Sequence, residues 1–570
     1  MEKASPYAAK PWLHFYDKDV PAHIDYPPVP LDQLLATSAA KYPENPALIF
    51  GARVGSRIMD QVLSYRQLEA AVNRLAASLQ EMGVEKGDRV AIVAPNSPQF
   101  VIAFYGILRA GGTVVPCNFM YTAEELSHQL ADAGAEIAIV LSSFYQRVHS
   151  IRGETRLRHI IVTNVKEYFP LLLRWLFTLA KEKKEGHWVE LASNQDRWLQ
   201  TILSQDAAPQ PAETGPQDTA CLLYTGGTTG IPKGAELTHR NLVSNAVAGK
   251  AWSHFREGQE ISIGALPFFH SYGMTAAMNM PLAGAGAIIL IPDPRDVLHV
   301  MGSISKHRAT FYCAVPTSYV RINNHPQVEE FDLGSILVCL SGAAPLPSEV
   351  QERFQALTGA TLVEAYGLTE TSPATHVNPL ERNRIGTIGL PWPDTDARIV
   401  DVDSGETEMP VGDIGELIIQ GPQVMKGYWR RPTETANVLR EHPDLAPGRW
   451  LHTGDIARMD AEGYFQIVDR KKDMIICGGY NVYPRDVEDV LYLHPAVEQA
   501  GVIGIPDEYR GETVKAFVVL KAGMTATEEE LIAFCQEHLA KYKVPTAIQF
   551  RDSLPTSAVG KVLRRELARG

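Results

Sequence analysis

Between Leu31 and Leu141 the chain keeps repeating one pattern, an apolar stripe at helical spacing followed by a short apolar run. Leu68, Val72, Leu75, Leu79 and Met82 recur at three and four and mark one face of a helix, after which 89–93 reads as a buried strand. Residues 100–108 are the next expected helix, 113–116 a strand, 123–132 a helix and 136–141 a strand. Short strands alternating with helices call for a parallel sheet covered on both faces, because every parallel connection crosses over a face of the sheet. At 570 residues one core is not enough, and 45% hydrophobic with 21% charged residues is an ordinary globular balance. The expected fold class is α/β and multidomain: a large N-terminal part of layered sheets and helices, followed by smaller units.

The most specific stretch is 224–235, Tyr-Thr-Gly-Gly-Thr-Thr-Gly-Ile-Pro-Lys-Gly-Ala. It follows an apolar run at 219–223 that reads as a buried strand, and it precedes a helical pattern opening near Thr238 and Asn241. Glycines let backbone N–H groups converge and threonine hydroxyls add donors, so such a loop can wrap a polyphosphate. The Walker A loop ends in Gly-Lys-Ser/Thr, whereas Lys233 stands between Pro232 and Gly234, which argues against a P-loop NTPase. A three-residue fragment of the string would be no more than a surface turn.

Other small-residue or polar turns follow apolar strands. A strand at 261–266 ends in Pro267-Phe268-Phe269-His270-Ser271-Tyr272-Gly273, where a lone histidine suits a structural role as well as a ligand contact. A strand at 336–340 ends in Ser341-Gly342-Ala343-Ala344. Glu364-Ala365-Tyr366-Gly367-Leu368-Thr369-Glu370 offers a flat ring for a purine, a hydroxyl, and a hard oxygen ligand suited to Mg2+. Taken alone, that string is also what a strand end turning into a capped helix looks like.

From 384 to 420 short strands with Gly, Pro and Asp turns predict a small antiparallel barrel or sheet. Residues 468–473, Val-Asp-Arg-Lys-Lys-Asp, form a charged break that reads either as a hydrophilic hairpin turn or as a hinge. Beyond it helices at 484–493 and 528–539 mix with strands at 500–504 and 514–520, a compact α+β unit. The expected division is 1–468, a hinge at 469–473, and 474–570. Residues 1–30, rich in Pro, Tyr and Trp, read as an extended arm over a partner surface.

The segment 165–205 breaks the alternation. Residues 168–180 are mostly apolar but hold Pro170 and Arg174 and are followed by Lys181, Glu182, Lys183, Lys184 and Glu185. A membrane span needs about 20 apolar residues without a central charge, so this is not one. Two readings stay open: a buried helical hairpin, or an amphipathic segment on a bilayer surface with Trp175 and Phe177 inserted.

A net charge of -13 opposes nucleic-acid binding. Six scattered cysteines without a CxxC pair suggest reduced structural thiols and a cytoplasmic protein. The N-terminus, Met-Glu-Lys-Ala-Ser-Pro, has no apolar h-region, so no signal peptide is read.

Taken together and in order, residues 224–235, 341–346, 362–371, 450–455, 468–473 and 555–565 resemble the adenylate-forming superfamily of acyl-CoA synthetases, peptide-synthetase adenylation domains and firefly-type luciferases. The resemblance runs from about Leu31 to Arg565. It is nearest to AMP-forming long-chain fatty-acid-CoA ligases of the bacterial type, through Ile291-Pro292-Asp293-Pro294-Arg295-Asp296, Gly421–Trp429, Asp469–Ile475 and Tyr542-Lys543-Val544-Pro545. It implies ATP and CoA as substrates beside a fatty acid, Mg2+ as cofactor, and a small mobile C-terminal domain.

Residue by residue, the resemblance assigns ATP contacts to Thr225, Gly226, Gly227, Thr228, Thr229, Gly230 and Lys233, to Gly342, Ala343 and Ala344, to Glu364, Ala365, Tyr366, Gly367 and Thr369, and to Asp455, Ile467 and Arg470. Asp455, which could otherwise simply end a turn, would take the ribose hydroxyls. Thr225 and Glu370 would hold the metal, and with Lys561 they are the expected catalytic residues. His270, Tyr272 and Met274 would line the acyl pocket, with Met274 near where some long-chain members carry a gating tryptophan. Lys472 would be the turning residue of the hinge, and Gly478, Gly479 and Tyr480 would border the CoA path. A homodimer and a peripheral membrane contact through 165–205 are compatible with the same resemblance. Its rivals are a medium-chain or aryl acid-CoA ligase, an acyl-AMP ligase and, outside enzymes, a fatty-acid uptake or binding protein. Intact Lys561, Glu370 and Asp455 argue against the last.

Overall fold

The computed structural model describes residues 5–225, 232–477, 480–507, 510–557 and 562–568. Gly226, Gly227, Thr228, Thr229, Gly230, Gly478, Gly479 and Lys561 lie outside the described residues.

The alternation near the N-terminus forms as its pattern dictates, with helix Tyr65–Glu81, strand Arg89–Val93, helix Pro98–Arg109, strand Thr113–Pro116, helix Ala123–Ala133 and strand Ile137–Leu141. Local chemistry sets the helix starts. Ser64 with Gln67 and Thr122 with Glu125 form reciprocal capping boxes, and Ser97 caps a helix that has Pro98 in its first turn. Gly134 ends the third helix in the left-handed conformation.

These strands belong to an eight-stranded sheet ordered Gly427–Tyr428, Lys233–Thr238, Thr219–Thr225, Thr113–Pro116, Arg89–Val93, Ile137–Leu141, His159–Thr163 and Arg197–Trp198. It is parallel from Thr219–Thr225 onward and antiparallel at the other edge. A nine-stranded sheet lies beside it, ordered Leu390–Pro391, Ala374–Val377, Thr361–Gly367, Val338–Ser341, Phe311–Ala314, Ile261–Gly264, Ala287–Leu290, Pro46–Val54 and Arg57–Ser64. Its central strands are parallel, and one apolar core joins both sheets.

Residues 396–470 give a five-stranded antiparallel sheet, as the short strands and turns predict. It starts at Asp396 rather than near 384, because Leu390–Pro391 has joined the nine-stranded sheet. From Ile475 a last five-stranded sheet with helices Pro484–Tyr492 and Glu528–His538 has its own core around Ile475, Leu491, Val502, Val518 and Leu531.

Three expectations change. The Gly/Thr stretch does not run directly into a helix: Lys233–Thr238 returns as a strand antiparallel to Thr219–Thr225, and helix His239–Trp252 starts only after it, capped by Thr238 and Asn241. The N-terminal arm covers its own chain. Tyr7 and Trp12 are fully buried, the Tyr16 hydroxyl donates to the Pro391 carbonyl at 2.6 Å, and Trp12 meets Phe465 edge-on. In the segment 165–205, helix Leu171–Ala180 buries Phe177 against Phe169 and His187, so Phe177 is not available to a bilayer, while Trp175 is exposed. Among the described residues no helix is long and apolar enough to cross a membrane.

Candidate active site

In open α/β sheets ligands bind beyond the carboxyl ends of parallel strands, where turns leave backbone groups unpaired. The strands Thr219–Thr225, Ile261–Gly264, Val338–Ser341 and Thr361–Gly367 all end in the turns singled out by sequence. Thr225 is the last residue of its strand and pairs across the hairpin with Lys233.

These turns need small residues. A Cβ on Gly367 would stand 1.9 Å from the Pro373 carbonyl oxygen, and one on Gly342 would press on the Tyr272 ring at 3.1 Å. Ala343, although not a glycine, has φ +69°, a left-handed conformation of the kind functional turns retain. Ala344 follows it in the same turn, and Ala365 closes off the pocket described below.

Glu370 is fixed on two sides. Its Oε1 accepts the Tyr428 hydroxyl at 2.7 Å, and its carbonyl accepts the Met425 N–H at 2.8 Å. Tyr428 reaches it because Gly427–Tyr428 pairs with the outer edge of Lys233–Thr238, and the Lys233 ammonium lies 5.5 Å from the centre of the Tyr428 ring. One tyrosine therefore touches both the carboxylate and the lysine. Thr369 faces Ser271 at 3.5 Å between hydroxyls.

Asp455, only 2% exposed, accepts the Tyr366 hydroxyl at 2.5 Å and forms an ion pair with the Arg470 guanidinium at 2.6 Å. The aromatic face, the ribose-side carboxylate and the hinge arginine expected by sequence thus meet at one point. Glu364 lies a step deeper. Burial pushes its carboxyl up to about 7, against the opposing effects of Arg485 and the Leu346 N–H. Arg485 belongs to the last unit; it donates to the Ile467 carbonyl at 2.9 Å, and its backbone N–H donates to Asp469 at 2.7 Å.

A narrow cavity of about 20 Å³, room for about one water, lies behind Ala365 and is lined by Asn245, Tyr272, Thr275, Ala276, Met280, Leu340, Pro373, Ala374, Val377 and Trp392. Tyr272 stands in its wall, with its hydroxyl donating to the Leu340 carbonyl at 2.8 Å. His270 and Met274 are not in this lining: Met274 is fully buried in the core, and the His270 Nδ1 accepts the Tyr272 N–H at 3.3 Å while burial pulls its imidazole down to about 4. Thr275 and Ala276 enter the lining from a π-helical turn, Thr275–Asn279, an irregularity common at functional sites.

Lys472 sits in the turn just after Arg470, and its neighbour Lys471 is held by Glu416 at 3.1 Å. Tyr480 is exposed and stacks on Tyr542 with ring centres 4.7 Å apart. Near the chain end Arg564 pairs with Asp469 at 2.8 Å, Glu488 at 2.7 Å and Asp473 at 3.2 Å. Sequence reasoning missed Tyr428, Arg485, Asn245 and Trp392; of these only Tyr428 carried a signal, as part of the string Gly421–Trp429.

The donors suit a hard cation shared with a nucleotide. Among the described residues no cluster of three or more His, Cys, Asp or Glu could hold a metal alone; Glu370 offers one carboxylate and Thr225 one hydroxyl, oxygen donors of the kind that Mg2+ takes.

A layered α/β body with this strand-end site, followed by a small α+β unit, defines the AMP-binding enzyme family of the adenylate-forming superfamily, and the chain belongs to it: that family matches residues 35–429, and its C-terminal domain matches residues 486–561. The chain is 44% identical to the long-chain-fatty-acid–CoA ligase of Bacillus subtilis over 98% of this chain and 97% of that one. Its fold is similar to ATP-bound MatB from Rhodopseudomonas palustris, with a TM-score of 0.79 and 31% identity over 95% of this chain and 99% of that one. It is also similar to a Mycobacterium tuberculosis fatty acyl CoA synthetase, with a TM-score of 0.70 and 28% identity over 95% and 98%.

Proposed function

We propose that this chain is an AMP-forming long-chain fatty-acid-CoA ligase, which condenses a fatty acid with ATP to acyl-AMP and pyrophosphate and then transfers the acyl group to CoA, releasing AMP. What carries the reading is the family match over residues 35–429 and 486–561 with 44% identity over 98% of the chain to a long-chain-fatty-acid–CoA ligase, supported by strand-end turns that carry the Glu370 carboxylate and the Tyr366 ring.

A fatty-acid carboxylate attacking the α-phosphorus of ATP brings like charges together, so the site must offset repulsion. Mg2+ bound by Glu370 and Thr225 would supply positive charge against the phosphate oxygens. The chain's own part is to orient and to donate. Tyr428 holds Glu370, Tyr366 offers its face to the adenine, Asp455 takes the ribose hydroxyls, and Lys561 brings a cation to the departing pyrophosphate. A unit charge about 4 Å from its opposite is worth about 4 kcal/mol at an effective dielectric of about 20, or about two to three orders of magnitude in rate. In the second step the CoA thiol attacks the acyl-AMP carbonyl and AMP leaves with both bonding electrons, so no pyrophosphate needs Lys561.

The reading divides the chain into an N-terminal body to about residue 468, a hinge at 469–473 turning at Lys472, and a C-terminal domain that presents Lys561 for the first step and Gly478, Gly479 and Tyr480 for the second. It also places helix Leu171–Ala180 at a membrane surface, supported by the exposure of Leu171, Leu172, Trp175 and Leu179. The decisive measurement is CoA- and ATP-dependent AMP release over acids from acetate to oleate, with aryl acids included. Highest kcat/KM with long-chain acids is expected, and no AMP release with any acid would overturn the reading.

A further inference from the structure

We propose that the cleft beside helix Leu171–Ala180 binds the phosphate headgroup of an anionic phospholipid while the exposed apolar face of that helix seats in the bilayer surface. The inference rests on the membrane-contact part of the reading above and adds a ligand, a site and a selectivity.

At 3.6 residues per turn, Leu171, Trp175, Leu179, Leu172 and Leu176 fall within one arc of about 140°. All five are open to solvent, with Leu171 and Leu179 each 77% exposed and Trp175 68%. Leu173 and Phe177 take the opposite face and anchor the helix to the body. Arg174 and Thr178 lie at the boundary between the two faces, and there a cleft of about 380 Å³ opens, lined by Lys166, Arg174, Trp188, Trp198, Gln200 and Thr201 among others. An amphiphile with its head in the cleft therefore has its tails along the leucine arc.

The charge of the cleft selects the head. Its two carboxylates are already engaged: Glu182 by Lys166 at 2.6 Å and by the Asn164 amide at 2.9 Å, Glu167 by the Thr163 hydroxyl at 2.6 Å and the Gln200 amide at 3.2 Å. Burial also pushes the Glu167 carboxyl up. Arg174 is exposed and makes no ion pair within 4 Å among the described residues; it acts on Glu167 only at longer range, and its planar fork of donors matches a phosphate. Lys183, over the ring of the cleft residue Trp188 at 5.0 Å, adds a cation beside it, and Lys184 is exposed. Residues 166–188 carry five basic and three acidic side chains in a protein of net charge -13. Beyond the Debye length of about 8 Å the acidic body is screened, so this local surplus sets the orientation at an anionic surface.

Vesicle flotation of the full chain without substrates tests this, using phosphatidylcholine alone and with about 30% phosphatidylglycerol, a charge density at which surface cations act. Wild type is expected to prefer the anionic vesicles. Leu172→Asp with Leu179→Asp should abolish binding to both, and Arg174→Gln should cost about fivefold or more on anionic vesicles only. Lys184→Gln, outside the cleft, should cost less than Arg174→Gln. Equal losses for the two variants would mean diffuse surface charge and overturn the cleft, as would wild-type binding indifferent to phosphatidylglycerol. Competition by millimolar glycerol phosphate would assign the cleft to a free phosphate ester and also overturn the lipid. No flotation on either vesicle sinks the membrane contact itself, and none of these results depends on whether AMP is released.

Discussion

Two regions around the nucleotide site are built by opposite means. The wall at Glu370 is assembled from turns packed against each other, where the Tyr428 hydroxyl holds the Glu370 carboxylate, the Met425 N–H holds its backbone carbonyl, and Gly367 admits no side chain at all. The junction at Asp469 is held by charge. Asp469 sits on the last strand of the antiparallel sheet, paired opposite Ile456, yet it accepts the Arg485 N–H and pairs with Arg564, both from the following unit. Packed turns have one arrangement, whereas an ion pair can be exchanged for water or for another partner when a unit swings. The contrast teaches that packed turns hold one wall of the candidate site while charge holds the junction between two units.

The contrast can be broken most forcefully at the charged side, where the proposed reading places Lys561. Lys561→Ala is expected to slow acyl-AMP formation by about two to three orders of magnitude, while thioester formation from supplied acyl-AMP stays near wild type. Fatty-acid-dependent ATP–pyrophosphate exchange beside single-turnover transfer from acyl-AMP reads both, and equal loss in the two would remove the lysine from its role.

On the fixed side Ala276→Phe should overfill the narrow cavity, which has room for about one water, and destabilise the fold by about 1–3 kcal/mol. Urea unfolding measures this, and unchanged stability would mean that the wall gives way without cost.

Tyr428→Phe sharpens the comparison further. It removes one hydrogen bond to a charged group, worth about 1.5–3 kcal/mol, so a rise of about tenfold in the Mg2+ concentration giving half-maximal exchange is expected. Mg2+-dependent ATP binding by calorimetry, without fatty acid, should weaken in parallel. Unchanged Mg2+ dependence would make Tyr428 only a structural contact.

The smallest effect is one of pH. The buried Glu364 carboxyl binds its proton more tightly in the folded chain, up to about 7, than the ordinary value of 4.5. A carboxyl raised in this way favours folding below about 4.5, and that contribution fades as pH rises through about 7. Glu364→Gln keeps an acceptor for the Leu346 N–H and removes the titration, so its stability relative to wild type should rise between pH 5 and 8 by at most about 3 kcal/mol. Urea unfolding at the two pH values measures this, and a pH-independent difference would contradict it.

Much of the site was legible in advance because its parts are local. Glu364 to Glu370, Ser341 to Ala344 and the capped helix after Thr238 each combine an apolar run with a turn within about ten residues, which is the range over which periodicity and turn chemistry act. The hairpin at Lys233–Thr238 was not legible, since a short run before a capped helix reads equally as loop or strand until a partner edge is present. Tyr428 was hidden for the same reason. Its neighbour Lys233 lies almost two hundred residues earlier, and nothing in Gly427-Tyr428-Trp429 says which sheet edge it will join.

By itself, then, the sequence determined the α/β alternation, the order of the strand-end motifs and the small residues those turns require, because hydrophobic period and backbone sterics are written residue by residue. Only the tertiary structure decided that Pro46–Val54 pairs with Ala287–Leu290, that the edge strand Gly427–Tyr428 brings a tyrosine to Glu370, and that helix Leu171–Ala180 turns Leu173 and Phe177 inward and its other leucines outward. Partner choice between distant strands is settled by which faces must be buried together, a competition over the whole chain that no short window contains.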